Sequence, residues 1–231
     1  MKQLKHLLIY DFILLQRNKI IGISLAVTAL YTGAFQGLAM LGDMEKLLIL
    51  VIFNDPALLG FLFVGVMVLF EKNENTLQAL AVSPMEIQWY IFSKASALTL
   101  ISLFCCFAMA FATKGFDFQY IHYAFASMLT TYLFSFIGFM VVAGESIFNN
   151  YILKALGVIL LLSTPFLGYF EVLPAVWFVL FPTQPAIDLY QISFEKNTDN
   201  EHIIYTYTLL IFWTMASYFG ALKLMKKNLS I

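Results

Sequence analysis

Apolar residues fall in runs long enough to cross a bilayer, and polar residues cluster between them. The runs cover roughly 20–41, 47–70, 95–113, 120–143, 155–170 and 202–222. A helix crosses a hydrocarbon core about 30 Å thick with about 20 apolar residues, whereas barrel strands show alternating segments of about ten. No such alternation occurs here. Backbone surrounded by lipid must satisfy its own hydrogen bonds, so runs of this kind fold as helices. The expected fold is all-α: a polytopic integral membrane protein with about six transmembrane helices, read as a single domain over 1–231.

The interruptions carry more detail. In 1–19, Lys2, Lys5, His6, Gln16 and Arg17 share one side of a helical wheel, and Leu4, Leu7, Leu8, Leu14 and Leu15 share the other. That pattern predicts an interfacial amphipathic helix. Asp11 falls in its apolar arc and is expected to pair with a cation or to touch another subunit. In the second run, Asn54-Asp55-Pro56 reads as a break, with Asp55 as N-cap and Pro56 opening a helix that runs to about Glu71. Asp55 is then either a cap near the outer surface or a functional acid at depth. The segment 71–94 is polar, 144–154 is polar and short, and Pro165 should bend the fifth crossing. Within 171–201, short apolar pieces flank Pro182-Thr183-Gln184-Pro185. This region reads as an outer re-entrant or surface-lying helical pair, whose turn serves as part of a gate or as a structural lid.

Composition and charge agree with lipid as the solvent. Hydrophobic residues make up 61% of the chain and charged residues only 12%, against about 25% charged in a soluble domain. Net charge is −1; overall charge points to no partner, and no nucleic-acid partner is expected. Lys2, Lys5, Arg17, Lys19, Lys72, Lys94, Lys154, Lys223, Lys226 and Lys227 fall on the side of the N-terminus, and Lys46, Lys114 and Lys196 on the other. Basic residues concentrate on the cytoplasmic side, so both termini are expected there. Cys105 and Cys106 are adjacent and point about 100° apart on a helix, which forms neither a redox pair nor a metal site.

The segment 71–94 holds the most specific pattern. Leu77, Leu80 and Ala81 form a short apolar stripe at i, i+3, i+4, and Asn75 or Thr76 can cap its start. Ser83-Pro84-Met85-Glu86 is a capping box with proline at the first helical position. It predicts a second helix continuing into the third crossing, with Trp89, Tyr90 and Lys94 at the membrane interface. A rigid helix–turn–helix of this kind either lies on lipid or docks into a soluble partner.

Glu71, Lys72, Thr76, Leu77, Leu80, Val82, Ser83, Pro84 and Lys94 together resemble the ABC-2 type permease family, the membrane subunits of ATP-binding-cassette exporters. The family usually has glycine before the threonine; Asn75 stands here and tolerates the same left-handed backbone. The plan of interfacial helix, six crossings, coupling helix and re-entrant helices is similar to the family's as well. The resemblance implies a transmembrane permease subunit powered by a separate ABC ATPase, with ATP and Mg bound on that partner and no cofactor on this chain. It further implies a second permease chain, identical or not, and a multi-pass place in a cell membrane, the bacterial inner membrane. Glu71, Lys72, Thr76, Leu77, Leu80, Ala81, Val82 and Pro84 are then expected to couple to the ATPase. Asp55, Pro182, Thr183, Gln184 and Pro185 are the pathway or gate candidates.

The chain has no Gly-x-x-x-x-Gly-Lys-Ser/Thr loop of its own. Few charges are available along a central cavity, which suits an amphipathic or hydrophobic cargo, drug-like or lipid-like. Two rivals are weighed. A secondary transporter or channel needs buried ionisable groups, for which Asp55 and Glu145 are the candidates. An intramembrane enzyme needs clustered catalytic side chains, and His6, His122 and His202 are scattered.

Overall fold

The computed structural model describes residues 2–39, 45–77, 86–195 and 198–228, and all regular structure among them is helical. The helices are α1 (Lys2–Arg17), α2 (Ile20–Ala39), α3 (Glu45–Leu58), α4 (Val64–Asn73), α5 (Ile87–Lys114), α6 (Tyr120–Val142), α7 (Phe148–Leu162), α8 (Pro165–Tyr169), α9 (Gln184–Phe194) and α10 (Asn200–Asn228). A π-helical turn, Leu59–Phe63, joins α3 to α4, and a 3-10 turn, Ala175–Phe178, precedes α9.

Among the described residues, six spans are long and apolar enough to cross a membrane: Ile20–Gly37, Lys46–Asn73, Ile87–Lys114, Tyr120–Val142, Phe148–Tyr169 and Asn200–Asn228. Large apolar side chains such as Leu30, Phe104, Ile121, Leu153, Leu160 and Phe219 point outward, the arrangement expected where lipid replaces water.

Helix α6 is the centre of the bundle. It packs against α3, α4, α5, α7, α9, α10 and the π turn. Close approach is possible because small residues stand at the crossing points. A Cβ on Gly138 would lie 2.7 Å from the Phe61 carbonyl oxygen, and one on Gly60 would lie 2.6 Å from the Thr131 carbonyl oxygen. Hydroxyls knit the same interior: Tyr123 donates to the Cys106 carbonyl (2.7 Å), Thr131 to Ser102 (3.0 Å) and Tyr190 to Ser127 (3.1 Å).

Three expectations are corrected. Asn54-Asp55-Pro56 does not break the second run, because Pro56 lies inside α3. Proline removes one intrahelical hydrogen bond and crowds the carbonyl four residues back. The helix continues through this defect and shifts register in the π turn that follows, as helices do where the regular ladder is disturbed. The fifth crossing begins at Phe148 rather than Ala155, so Asn149, Asn150 and Lys154 are helical. Pro165 does not merely bend that crossing: within the span Phe148–Tyr169, α7 ends at Leu162, and Pro165 opens the short helix α8.

Before the last crossing, α9 is a true short helix whose buried face includes Ala186, Ile187, Leu189 and Tyr190. The piece ahead of the proline-rich turn is only the 3-10 turn, with Val176 and Trp177 exposed.

Candidate functional site

Helix α1 lays Asp11, Leu14 and Leu15 against the bundle, all three buried. Their i, i+3, i+4 spacing puts them on one face. That face rests mainly on α5. Ile9 and Ile13 stay exposed beside it, so α1 touches protein with one stripe and keeps apolar surface for lipid. The chain leaves α1 through Lys19, whose φ of +59° turns it into α2.

Asp11 meets a cation. Lys94 Nζ lies 2.6 Å from Asp11 Oδ1 and 2.7 Å from Glu71 Oε1. The Ser93 hydroxyl donates to Asp11 Oδ2, and the Tyr90 hydroxyl donates to Glu71 Oε2 at 2.6 Å. Every carboxylate oxygen of the pair thus accepts a hydrogen bond. The ammonium also sits 4.8 Å from the centroid of the Tyr90 ring, within cation–π range. The side chains of Asp11, Glu71 and Lys94 are 3%, 0% and 1% exposed. A buried charge survives only when paired and hydrogen-bonded, and here both conditions are met. Nearby on α1, burial and then the Glu71 carboxylate push the Tyr10 hydroxyl above its ordinary pKa.

The cluster ties three elements together: α1 through Asp11, α4 through Glu71, and α5 through Lys94. Lys94, singled out in the sequence as an interface residue, is a sealed member of the core. Tyr90 was singled out only as an interface residue, and Ser93 escaped the sequence reading. The signal was present, since Tyr90, Ser93 and Lys94 stand at i, i+3, i+4 on one helical face.

Lys72, one residue past Glu71, turns the other way. Its ammonium donates to the carbonyls of Val142 (2.9 Å), Ala143 (3.0 Å) and Glu145 (2.6 Å). These carbonyls belong to the C-terminal end of α6, where unpaired carbonyls and the helix dipole favour a cation. The adjacent acidic and basic residues at the end of α4 thus hold α1, α5 and α6 at one level.

The segment between α4 and α5 leaves this base through Asn75, whose φ is +56°. Asparagine stands in the left-handed conformation where the family favours glycine. Thr76 Oγ1 donates to the Glu71 carbonyl at 3.1 Å. Leu77 is 3% exposed and belongs to the core, so the first member of the apolar stripe faces inward. Leu80, Ala81, Val82 and Pro84, with the Ser83–Glu86 capping box, lie outside the described residues apart from Glu86 itself. Arg17 and Glu74 pair at 2.8 Å on the exposed flank.

The gate candidates separate in space. Asp55 is 2% exposed within the second span, and the Thr28 hydroxyl approaches its Oδ2 at 3.4 Å. Thr183, fully buried, donates to the Leu162 carbonyl at the end of α7 (2.6 Å). Gln184 opens α9 with Pro185 in the first turn, and its amide donates to Asp188 at 2.8 Å. Burial pushes the Asp188 carboxyl up to about 6. On the same side, the hydrogen bond and charge of Lys46 hold the exposed Glu171 carboxyl below its usual value. Among the described residues, no group of three or more His, Cys, Asp and Glu side chains could hold a metal ion.

A model of the fluoroquinolones export permease protein family matches residues 3–229. The chain belongs to that family. This bears out its likeness to ABC-2 type permeases. Two curated relatives, fluoroquinolones export permease proteins from two strains of Mycobacterium tuberculosis, are each 28% identical to it over 147 residues. The matched stretch is 63% of this chain and 62% of each relative, so the chain spans about three-fifths of their length.

Proposed function

We propose that this chain is the membrane subunit of an ATP-driven exporter of amphipathic, drug-like compounds, working with separate ABC ATPase subunits and a second permease chain. Family membership supports the export role, and the relatives' names suggest fluoroquinolones as the first cargo to try. The observation that carries the mechanism is the Asp11–Lys94–Glu71 cluster at the base of the segment between α4 and α5. A force applied to that segment reaches the bundle at this cluster. The ion pairs pass it at once to α1, α4 and α5, and Lys72 passes it to α6. Movement of an ATPase on the side of both termini, assigned as cytoplasmic by the basic residues, then becomes movement of several crossings together. On this reading Leu77 anchors the segment, and Leu80 and Ala81 meet the ATPase.

Burial of Asp55 inside a spanning helix favours a second reading, a secondary transporter that couples to an ion or proton gradient. One reconstitution separates the two. The permease is placed in vesicles with an ABC ATPase, and uptake of a fluorescent fluoroquinolone is followed with ATP alone or with a proton gradient alone. Uptake that requires ATP and the ATPase, and that is lost in Leu80→Asp together with ATPase co-purification, is the expected result. Uptake driven by the gradient without the ATPase, and abolished by Asp55→Asn, would establish the rival.

A further inference from the structure

Asp55 stands apart from the other buried acids of the bundle. Asp11 and Glu71 share the Lys94 ammonium, and Glu145 pairs with Lys154. Asp55 is 2% exposed within the span Lys46–Asn73, and no ion pair among the described residues includes it. Its one donor among those residues is the Thr28 hydroxyl at 3.4 Å, whose single proton already serves the Ser24 carbonyl at 2.9 Å. Pro56, next in the chain, has no N–H to offer the Ile52 carbonyl one turn back. A carboxylate so far from water calls for a positive partner, and an ionisable group at membrane depth marks the path of a ligand or ion. The surroundings decide which kind of cation fits. Cys105, Cys106, Tyr123 and Tyr190 lie near enough to feel the Asp55 charge, and the two tyrosine rings meet edge to face with centroids 5.6 Å apart. A hard metal ion wants about six oxygen ligands, which one carboxylate among thiols and rings does not supply. Aromatic rings beside a single acid suit an organic ammonium instead.

We infer that Asp55 is where the permease receives the ammonium group of a cationic, amphipathic cargo, beside Tyr123 and Tyr190. The inference rests on the exporter reading above and narrows its cargo to amines. The carboxyl is sealed in this structure, so an amine reaches it only when the second span moves. A place for that movement lies close by: the π turn Leu59–Phe63 begins one turn beyond Asp55. Glu71 ties the far end of the same span to Lys94. Movement at that cluster therefore opens or closes the carboxyl to the cargo.

The test places the full chain in phosphatidylcholine nanodiscs and measures binding of dansylcadaverine, an amphipathic fluorescent amine, by anisotropy against empty nanodiscs. Its N-acetyl derivative has the same body without the cation. The wild type binds the amine more tightly than the acetyl derivative by on the order of tenfold, the worth of one charge-assisted contact. Asp55→Asn keeps the shape of the side chain and loses the preference, while its unchanged affinity for the acetyl derivative reports a folded protein. Asp55→Glu, which keeps the charge, retains the preference. Equal binding of the two dyes by the wild type, or an Asp55→Asn protein that still prefers the amine, overturns the inference and leaves Asp55 a structural group of the bundle. Amine binding through Asp55 without ATP-driven uptake of the dye into vesicles would remove the exporter reading and leave the amine site standing.

Discussion

Lys94 and Asp11, 83 residues apart in sequence, meet at 2.6 Å with both side chains almost completely buried. The pair makes the N-terminal helix a working part of the bundle rather than a float on the membrane surface. Glu71, at the end of α4, closes the same cluster.

Removing the cation should be the most damaging change in this cluster. Lys94→Met leaves two buried carboxylates facing each other without compensation, which costs about 3–5 kcal/mol when a buried pair is broken. Adding Asp11→Asn and Glu71→Gln to Lys94→Met should restore much of the loss, because the stranded charges are then gone. Thermal unfolding of the purified variants in detergent measures both effects.

The glycines at the crossing of the π turn and α6 should refuse a methyl group. Gly138→Ala and Gly60→Ala bring a Cβ to 2.7 Å and 2.6 Å of backbone oxygens, and overpacking of this kind costs about 1–3 kcal/mol. Gly22→Ala meets nothing within 4 Å and should be neutral or slightly stabilising, since alanine favours helix. The contrast in melting temperature between these variants is the readout.

Tyr151 supports the π turn. Its hydroxyl donates to the Phe61 carbonyl at 2.5 Å, and Gly65 leaves room for the ring, because a Cβ there would lie 2.0 Å from the tyrosine Cζ. Tyr151→Phe should cost about 1–3 kcal/mol through the stranded buried carbonyl. Faster amide exchange confined to the π turn and α4 is the expected signature; an unchanged rate there would contradict the role.

Asp188 sets a pH dependence. Burial raises its carboxyl to about 6 in the folded protein, opposed by the Gln184 hydrogen bond and by His202 nearby. The folded state therefore holds a proton that the unfolded chain has already released. Its favourable contribution is full below about pH 4 and declines as pH rises toward about 6. Above that, the ionised group costs stability. Asp188→Asn should flatten this part of the stability–pH profile and raise the melting temperature at pH 7.

The crossings were legible because lipid imposes length and composition on each helix. Both the partner sought for Asp11 and the backbone at Asn75 could be read from single residues: an acid in an apolar arc needs a cation, and φ of +56° suits asparagine. The Asp55–Pro56 signal misled for a physical reason. In water this dipeptide starts a helix, but in a bilayer a broken backbone is costlier than a proline inside the helix. The shift that absorbs Pro56 depends on Tyr151, 90 residues beyond Phe61, and no local pattern announces it. The partners of Lys94 were hidden in the same way, since they lie 23 and 83 residues distant.

The proposed coupling through the cluster is most directly tested by counting cargo molecules moved per ATP hydrolysed in vesicles holding the permease and an ABC ATPase, for the wild type and for Glu71→Gln. The variant is expected still to bind the ATPase and permit hydrolysis, while fluoroquinolone moved per ATP falls about tenfold or more. A variant that assembles normally and moves as much cargo per ATP as the wild type would show that force does not travel through Glu71 and Lys94.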